Sequence, residues 1–338
     1  MSEFRRRLLG GGEGKYIKFK DHVVAKICAE TWGDGIGITK EQAAAVTDIG
    51  TTFRNNTEIT SFNEFELFLG ITHLAQSGFI GCAHLNEIKL PKSLKSSGWY
   101  AFMNCSNLLS IEIPTGFKVI PNNMFYRCTA LRTVRIPQSI TAIGEQAFTD
   151  CVNIKDVFAT DVVSWCNIIM TDMNSNPMSS VTGANLYFKD IFVEHVDYPL
   201  LEVKQASFSG CGSIKSVNLL QGTTAIGNYS FRNCTKLSQI NFPDALTSIG
   251  TSALLKTNLQ HIDLPASIDN IGNYAFQENQ SLKNVIIRAI TPPTIGLYAL
   301  LGSNCPIYVP DGSVDLYKTN ESWSAYASRI KPISEYKE

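Results

Sequence analysis

Apolar positions recur along this chain in a fixed order, and the order itself returns about every 23 residues. One repeat runs from 131 to 151. Its segment LRTVRIP directs Leu131, Val134 and Ile136 inward from a short strand, because a strand presents its side chains to alternate faces. Pro137 ends that strand, since proline cannot donate to a hydrogen-bond ladder. The first element of each repeat is therefore predicted to be a short strand with one buried side.

The second half of the repeat carries another apolar strip and a corner. Ile140 and Ile143 are predicted to face the same interior from the opposite wall. Gly144 gives the chain freedom to turn, and the segment EQAFTDC is predicted to form one helical turn that buries Phe148 and Cys151. A unit of this size cannot bury its apolar side chains alone, so neighbouring units must stack.

Phenylalanine and cysteine keep this interval over most of the chain. The phenylalanine column, with one leucine, is Phe79, Phe102, Phe125, Phe148, Phe208, Phe231, Leu254 and Phe276. The cysteines in register are Cys82, Cys105, Cys128, Cys151, Cys211 and Cys234. A small buried hydrophobe has reason to keep the register of a repeat, whereas a disulfide partner has none. We therefore expect reduced, structural thiols, although a coil spacing of about 4.8 Å would permit a bridge.

The quoted strand, glycine, Ala-Phe and cysteine positions resemble the BspA-type leucine-rich repeat family of bacterial surface and host-associated proteins. The resemblance covers about residues 71 to 310, and self-similarity at this period is typical of leucine-rich repeats. It implies an α/β, right-handed solenoid with short parallel strands on its concave face and a helical N-terminal cap. It also implies adhesion or host-surface interaction, although a fold does not by itself define a function.

The chain outside the regular repeats is assigned to caps and to one insertion. Between Phe148 and Phe208 the register breaks, which we interpret as a long repeat within one solenoid. The predicted segments are a flexible basic tail (1–15), a helical N-terminal cap (16–70), repeats (71–151), a long repeat or insertion (152–207), repeats (208–310) and a C-terminal cap (311–338).

Capping signals predict helices in the N-terminal cap. Asp21 is expected to begin the first helix, and Thr39 with Gln42 forms a capping box at the start of the second. Ser61 is expected to cap a third. In the insertion, a helix is predicted at 162–169, followed by a hairpin in ANLYFKDIFVEHVDYP. In the C-terminal cap, PIYVP is predicted to be the last strand, with two helical pieces after it.

Charge and hydropathy exclude several kinds of partner. Lys and Arg number 29 against 30 Asp and Glu, for a net charge of −1, so nothing electrostatic favours nucleic acid or an anionic membrane. No segment approaches the roughly 18 apolar residues of a membrane helix, and the N-terminus lacks the apolar stretch of a signal peptide. We therefore expect a cytoplasmic or particle-associated protein, unless another export route applies.

The motifs of common catalytic and metal sites are missing from the sequence. WGDGIGITKEQ offers only Asp34 and Glu41 in the wrong register for an EF-hand loop, so a glycine turn is expected. GGGEGK lacks the spacing of a phosphate loop and is interpreted as a linker. Cys166 lies outside the repeat register but has no neighbouring base to activate it, and we expect it to pack the insertion helix. No enzyme activity, metal or cofactor is predicted.

Polar side chains between the inward residues of each strand point outward, onto the concave face. In the early repeats they alternate in charge, which cross-strand pairing explains without a ligand. Beside the insertion they are mostly uncharged hydrogen-bonding groups, which suit a glycan or a polar peptide. The predicted ligand-binding residues are Phe158, as a stacking platform, and Ser216, Asn218, Gln239, Asn241, His261 and Asp263.

Three functions remain open on sequence alone. The first is a non-catalytic, adhesion-type protein that binds a protein or carbohydrate ligand through the concave face. The second is a structural or receptor-binding component of a larger assembly, such as a phage or mobile-element particle, docked through the basic tail and residues 21–70. The third is a cysteine-dependent enzyme centred on Cys166. None of them requires nucleic acid or insertion into a membrane.

Overall fold

The computed structural model describes residues 14–181 and 183–337. The chain divides into two compact units, which meet in sequence between Phe158 and Ala159. Each unit, called unit 1 and unit 2 below, is a stack of short coils joined by parallel strands, and the predicted solenoid of about 23-residue coils is confirmed. The predicted basic tail over 1–15 lies almost entirely outside the described residues.

Unit 1 begins with the predicted helical cap. Helix α1 (His22–Thr31) starts at Asp21, which accepts hydrogen bonds from two backbone amides of the first turn. Helix α2 (Lys40–Ala45) carries both hydrogen bonds of the predicted capping box. The third helix differs from the prediction: Ser61 does not cap it but belongs to a strand, β1 (Ser61–Phe62), and a 3-10 helix (Asn63–Leu67) follows. Ser61 pairs with Glu87 of the next coil, so strand pairing replaces helix capping there.

The remaining strands of unit 1 form two parallel ladders. In chain order they are β2 (His73–Leu74), β3 (Glu87–Ile88), β4 (Ser96–Ser97), β5 (Ser110–Glu112), β6 (Val119–Ile120), β7 (Thr133–Ile136), β8 (Ala142–Ile143) and β9 (Asp156–Ala159). Odd-numbered strands carry the LxxIxL side and even-numbered strands the opposite wall. Equivalent residues of successive coils pair directly, as Ser110 does with Thr133 and Val119 with Ala142.

Unit 2 contains the predicted insertion helix and hairpin. Helix α3 (Val162–Asn167) is capped by Asp161, and β11 pairs antiparallel with β12. Its strands up to the resumed stack are β10 (Ile169–Met170), β11 (Asn185–Phe188), β12 (Ile191–Phe192), β13 (His195–Tyr198) and β14 (Glu202–Val203). The chain then returns to regular coils, because β13 and β14 pair in parallel with the strands of the next coil.

The regular coils of unit 2 again form two ladders. Their strands are β15 (Ser216–Leu219), β16 (Ala225–Ile226), β17 (Gln239–Ile240), β18 (Ser248–Ile249), β19 (His261–Leu264), β20 (Asn270–Ile271), β21 (Asn284–Ile287), β22 (Thr294–Ile295) and β23 (Ile307–Val309). One ladder has the order β14-β16-β18-β20-β22, and the other runs as β13-β15-β17 and then from β19 through β21 to β23.

The C-terminal cap contains a strand that the sequence did not predict. After β23, which is PIYVP, come a 3-10 turn (Asp311–Ser313), helix α4 (Val314–Thr319) and a 3-10 helix (Ser324–Arg329). Strand β24 (Ile330–Pro332) then pairs in parallel with β23, and a short 3-10 helix (Ile333–Glu335) follows. PIYVP is therefore not the last strand, because the cap supplies one more ladder partner.

The predicted helical turn of each coil is in fact a pair of tight turns. In the coil of residues 145–150, Gln146 and Asp150 have φ values of +55° and +61°. A right-handed helix cannot include such residues, so the prediction of a helical turn was wrong. The same pair of left-handed positions, four residues apart, recurs at Tyr100 and Asn104 and in other coils.

The corner glycine is needed because neighbouring coils approach closely at this point, and not because the backbone takes an unusual angle. A Cβ at Gly144 would lie 2.6 Å from the backbone nitrogen of Asn122 in the preceding coil. Real Cβ contacts are never so short, so any larger residue would push the two coils apart. The predicted role of Gly144, freedom to turn, is replaced by the need for close approach.

The phenylalanine column forms the aromatic core of each unit. In unit 1 the rings of Phe79 and Phe102 stack at 5.3 Å, those of Phe102 and Phe125 at 5.6 Å, and those of Phe125 and Phe148 at 5.2 Å. In unit 2, Phe208 and Phe231 repeat this geometry at 5.6 Å. These rings are fully buried, so the predicted column is confirmed.

The cysteines are free and buried, as expected for structural thiols. Five of the six in the repeat register hydrogen-bond to a backbone carbonyl of the preceding coil; the sulfur of Cys105, for example, lies 3.1 Å from the carbonyl oxygen of Phe79. The sixth, Cys211, instead pairs with the hydroxyl of Ser213. Burial raises the pKa of Cys105 and Cys128 well above the ordinary value. Over residues 14–181 and 183–337, none of the helices has the length and apolar content needed to cross a bilayer.

Candidate functional site

The outward side chains of β13, β15, β17 and β19 form two polar rows, which we call the strand face of unit 2. The first row is His195, Ser216, Gln239 and His261, and the second is Asp197, Asn218, Asn241 and Asp263. Strand pairing sets the register from β13 to β17. Asn241 follows the end of β17, and β19 begins the next ladder, so the repeat spacing places the remaining residues. Six of the seven predicted binding residues therefore stand on this one face.

Phe158 belongs to unit 1 and already has a partner there. Its ring is half-buried, and the guanidinium carbon of Arg135, on the neighbouring strand β7, lies 4.0 Å from the ring centroid. A cation at this distance over an aromatic ring is attracted by the ring's quadrupole. Phe158 therefore contributes to the surface of unit 1.

Neighbouring side chains in the two rows bind each other across the strands. His195 Nδ1 lies 2.7 Å from Ser216 Oγ, and Asn218 Nδ2 donates to Asp197 Oδ1 over 3.2 Å. Gln239 is exposed and makes no side-chain hydrogen bond within the described part of the chain. These cross-strand bonds orient the polar groups and still leave Asn218 and Gln239 exposed to a ligand.

The side chain of Asn241 has a structural role that the sequence did not reveal: it binds the backbone of the preceding coil. Its Oδ1 accepts a hydrogen bond from Leu219 N at 2.6 Å, and its Nδ2 donates to Leu219 O at 2.9 Å. The side chain thus replaces the backbone ladder, and β17 ends after only two residues. The amide group of Asn241 therefore mainly stabilises the end of β15, through its two hydrogen bonds to Leu219.

Beside the truncated end of β17 lies an open groove of about 400 Å³, which we call the groove. It brings together residues from the coils of β17, β19 and β21. Its lining includes Asn241, Phe242, Asp244, His261, Asp263 and Arg288. Three of these, Asn241, His261 and Asp263, were predicted from the sequence.

Sequence reasoning missed Phe242, Asp244 and Arg288. A signal was present for Arg288, which takes the place that Pro265 occupies one coil earlier. A charged residue in place of the strand-ending proline marks a departure from the repeat. The alternation of β21 would direct Asn284 and Ile286 outward, but these residues are only 8% and 5% exposed. The strand face therefore ends at β19, next to the groove.

An ion pair fixes one wall of the groove. Arg288 donates from Nε to Asp263 Oδ1 at 2.8 Å and from Nη2 to Asp263 Oδ2 at 2.7 Å. This bidentate bond raises the pKa of Arg288 above its ordinary value. Both side chains are about half exposed, so the pair contributes at most about 1 kcal/mol to stability. Its main effect is to hold the guanidinium in one orientation.

Two groups in the groove keep free hydrogen-bonding capacity. Asp244 is exposed, and its carboxylate accepts no hydrogen bond from the residues that the structure describes. His261 Nδ1 lies 3.1 Å from Asn284 Oδ1; with that oxygen as the acceptor, the neutral ring keeps Nε2 as a free acceptor. Two carboxylates and one guanidinium give the groove a net negative charge when His261 is neutral.

The other candidate residues have structural roles. Cys166 is fully buried and burial raises the pKa of its thiol, while the neighbouring Trp165 donates to Ser207 O at 2.9 Å. Both pack helix α3 onto its coil, as predicted. Asp34 accepts bonds from the amides of Ile36 and Gly37, which gives the expected glycine turn. Among the described residues, no cluster of three or more metal-ligating side chains occurs.

Comparisons with known proteins agree with this architecture. The family model for the BspA type leucine-rich repeat region matches six copies, over residues 47–168 and 201–309. A leucine-rich repeat protein from Bacteroides ovatus is 26% identical with a TM-score of 0.53, over 72% of this chain and 60% of that protein. The chain thus spans less than two thirds of that relative's length.

A second solved structure shows the same fold at lower identity. The pneumococcal vaccine antigen PcpA is 17% identical with a TM-score of 0.52, over 85% of this chain and 83% of that one. At this identity the likeness concerns the fold alone. A comparison with curated proteins returned no match.

Proposed function

The chain belongs to the BspA-type leucine-rich repeat family, and on that premise we propose that it is a non-catalytic binding protein that holds a protein ligand in the groove and on the adjoining strand face. Solenoids bind partners through such extended ladders of outward side chains. The proposal is carried by one observation: the groove gathers an unpaired carboxylate, an imidazole and an oriented guanidinium.

The charge of the groove favours a ligand segment with a basic side chain. The carboxylate of Asp244 accepts no hydrogen bond within the described residues, and Asp263 already shares its charge with Arg288. A lysine or arginine of the ligand would pair with Asp244 and gain a charge-assisted hydrogen bond. Nε2 of His261 and the amide of Gln239 would then bind backbone or polar groups beside it.

The groove is less suited to a carbohydrate. Sugar rings commonly stack on an exposed aromatic face, and the one aromatic side chain in the groove is Phe242. Its ring is half-buried and packs edge-to-face on Phe276 at 6.3 Å. The predicted platform, Phe158, lies in unit 1 under Arg135. Of the two ligand classes that the sequence left open, a protein segment is therefore the one proposed for this groove.

Selection of phage-displayed random peptides on the intact chain tests the proposal. Selected peptides should be rich in lysine and arginine. Asp244→Lys should weaken their binding at least about tenfold, because it places a like charge in the groove. Asp269→Lys is the matched control, since Asp269 is an equally exposed aspartate without side-chain hydrogen bonds among the described residues and does not line the groove.

Two results would contradict this function. Either no peptide is enriched, or the enriched peptides bind Asp244→Lys and the parent chain equally well. His261→Ala gives an independent check, because it removes the free imidazole acceptor without changing the carboxylates. The hypothesis of a larger assembly stays a prediction, since most of its basic docking tail lies outside the described residues.

A further inference from the structure

A larger cleft lies in the last coil of unit 2. It has a volume of about 1000 Å³ and opens between the turn that follows β22 and the 3-10 helix Ser324–Arg329 of the C-terminal cap. Ligand clefts span roughly 300–1,000 Å³, so it can hold an extended molecule. It shares no residue with the groove.

One wall of the cleft presents an aromatic ring to solvent. Tyr298 is 54% exposed, and its ring stacks on that of Tyr274 at 5.7 Å with an interplanar angle of 23°. Leu297 and Leu301 on the same turn are 67% and 50% exposed. A supported, exposed ring of this kind offers a flat apolar surface beside polar groups.

The backbone does not explain why a tyrosine stands at position 298. Tyr298 has a φ of +57°, in the left-handed region that asparagine and glycine adopt far more readily than bulky residues. Asn123, at the equivalent place in its own coil, has the same φ. Tyr100, Tyr229 and Tyr274 stand at this repeat position with the same left-handed backbone, so Tyr298 is distinguished by its exposed ring beside the cleft and not by its φ angle.

Other residues that line the cleft supply planar polar groups. Asn304 and Glu321 are exposed, and their side chains make no hydrogen bond with any other residue in the described ranges. Arg329 is half-buried; it donates from Nε to Cys305 O at 2.8 Å and from Nη2 to Ser303 Oγ at 3.4 Å, which holds its guanidinium in place. The free amide and carboxylate can each engage two neighbouring hydroxyl groups at once, and Arg329 adds a fixed positive charge beside the cleft.

From these features we propose that the cleft binds an oligosaccharide. Hydroxyl groups on a sugar ring present paired donors and acceptors along the ring edge, and the ring's C–H face is apolar. An exposed tyrosine face beside planar amide, carboxylate and guanidinium groups matches both properties. A peptide backbone can also pair with these polar groups, so it is the exposed face of the Tyr298 ring that favours a sugar as the ligand.

An oligosaccharide array probed with the labelled intact chain tests this proposal, followed by calorimetric titration of the oligosaccharide that is best retained. Tyr298→Asn is the informative variant, because asparagine suits the left-handed backbone and the fold should not lose stability. It should weaken binding of that oligosaccharide at least tenfold. Tyr100→Asn is the matched control: Tyr100 has a φ of +61° at the same repeat position in unit 1, and its replacement should leave binding unchanged.

Three outcomes overturn the proposal. The array may retain the chain on no oligosaccharide, the retained oligosaccharide may bind Tyr298→Asn with unchanged affinity, or only leucine- and phenylalanine-containing display peptides may depend on Tyr298. Glu321→Gln should also weaken sugar binding by severalfold. Asp244→Lys should leave sugar binding intact, so that failure of the groove and failure of the cleft are told apart.

Discussion

The thiol of Cys128 donates a hydrogen bond to the carbonyl oxygen of Phe102, 3.2 Å away in the preceding coil. The same bond joins Cys82 to Phe53, Cys105 to Phe79, Cys151 to Phe125 and Cys234 to Phe208. In these five coils, one cysteine side chain both fills a small apolar space and bonds a backbone carbonyl of the neighbouring coil. Alanine would fill less of the space and leave the carbonyl without this partner, which explains the cysteine column physically.

This arrangement predicts that the thiols are inaccessible in the folded protein. All nine cysteines are free and buried, and burial raises the pKa of Cys128 and Cys234 well above the ordinary value. In the folded chain, almost none of the nine thiols should therefore react with a thiol reagent at about pH 8. All nine thiols should react after unfolding in guanidinium without a reductant. Fewer than nine in the unfolded chain would indicate a disulfide.

The stacked rings predict a large loss of stability at the centre of the column. Phe125→Ala removes a fully buried ring that stacks on both Phe102 and Phe148. Its cost should be about 3–5 kcal/mol, measured as a shift of the guanidinium unfolding curve. Trp99→Ala is the control, since Trp99 is 54% exposed and its loss should change stability by less than about 0.5 kcal/mol. Equal effects of the two changes would contradict the stacked core.

The strand-replacing amide of Asn241 predicts a contrast between two asparagines of the strand face. Asn241→Ala removes both hydrogen bonds to Leu219 and should cost about 1–3 kcal/mol. Asn218→Ala removes one exposed bond to Asp197 and should change stability little. Thermal unfolding of both variants measures the difference. If Asn241→Ala is as stable as Asn218→Ala, the amide does not support the strand.

The cap of helix α1 predicts a pH dependence. Burial disfavours the charged form of Asp21, but hydrogen bonds from Thr60 and from Val23 and Val24 outweigh it and lower its pKa. A carboxylate with a lowered folded-state pKa stabilises the fold above its unfolded-state pKa of about 3.9, and this contribution is lost as the pH falls through the folded-state value. The chain should therefore lose stability below about pH 4.

Asp21→Asn isolates that contribution. The variant should be less stable than the parent chain at pH 7, because the amide nitrogen cannot accept the bonds from Thr60. Its stability should also fall less steeply below about pH 4. The measurement is a series of denaturant unfolding curves against pH, with Asp269→Asn as a control that should follow the parent chain. Parallel curves for Asp21→Asn and the parent chain would refute the role given to Asp21.

Much of the fold follows from local rules that can be applied to the sequence directly. Side chains that recur every 23 residues must share a column once the coils stack, so the burial of Phe125 and Cys128 was predictable. The capping box of Thr39 and Gln42 was predictable as well, because its hydrogen bonds span only three residues. The strand position of Ser61 was not predictable, because its pairing with Glu87 links positions in different coils.

The candidate sites were only partly predictable. Alternation along a strand was enough to place His261 and Asp263 on an outward face. It did not show that Asn241 binds Leu219, that Arg288 reaches back to Asp263, or that Tyr298 borders a cleft with the C-terminal cap. Each of these depends on side chains from different coils or on the path of the cap.

The sequence by itself determined the repeat, its period, the buried columns and the outward rows, because each follows from the spacing of residues along one chain. Only the tertiary structure decided that the turns are left-handed pairs, that Gly144 is needed for close approach of the coils, and where the groove and the cleft lie. The physical reason is the sequence distance over which each interaction acts. The periodicity of the sequence determines only which face of a coil a residue occupies. Contacts between coils and caps depend on the distances that stacking imposes on residues far apart in sequence.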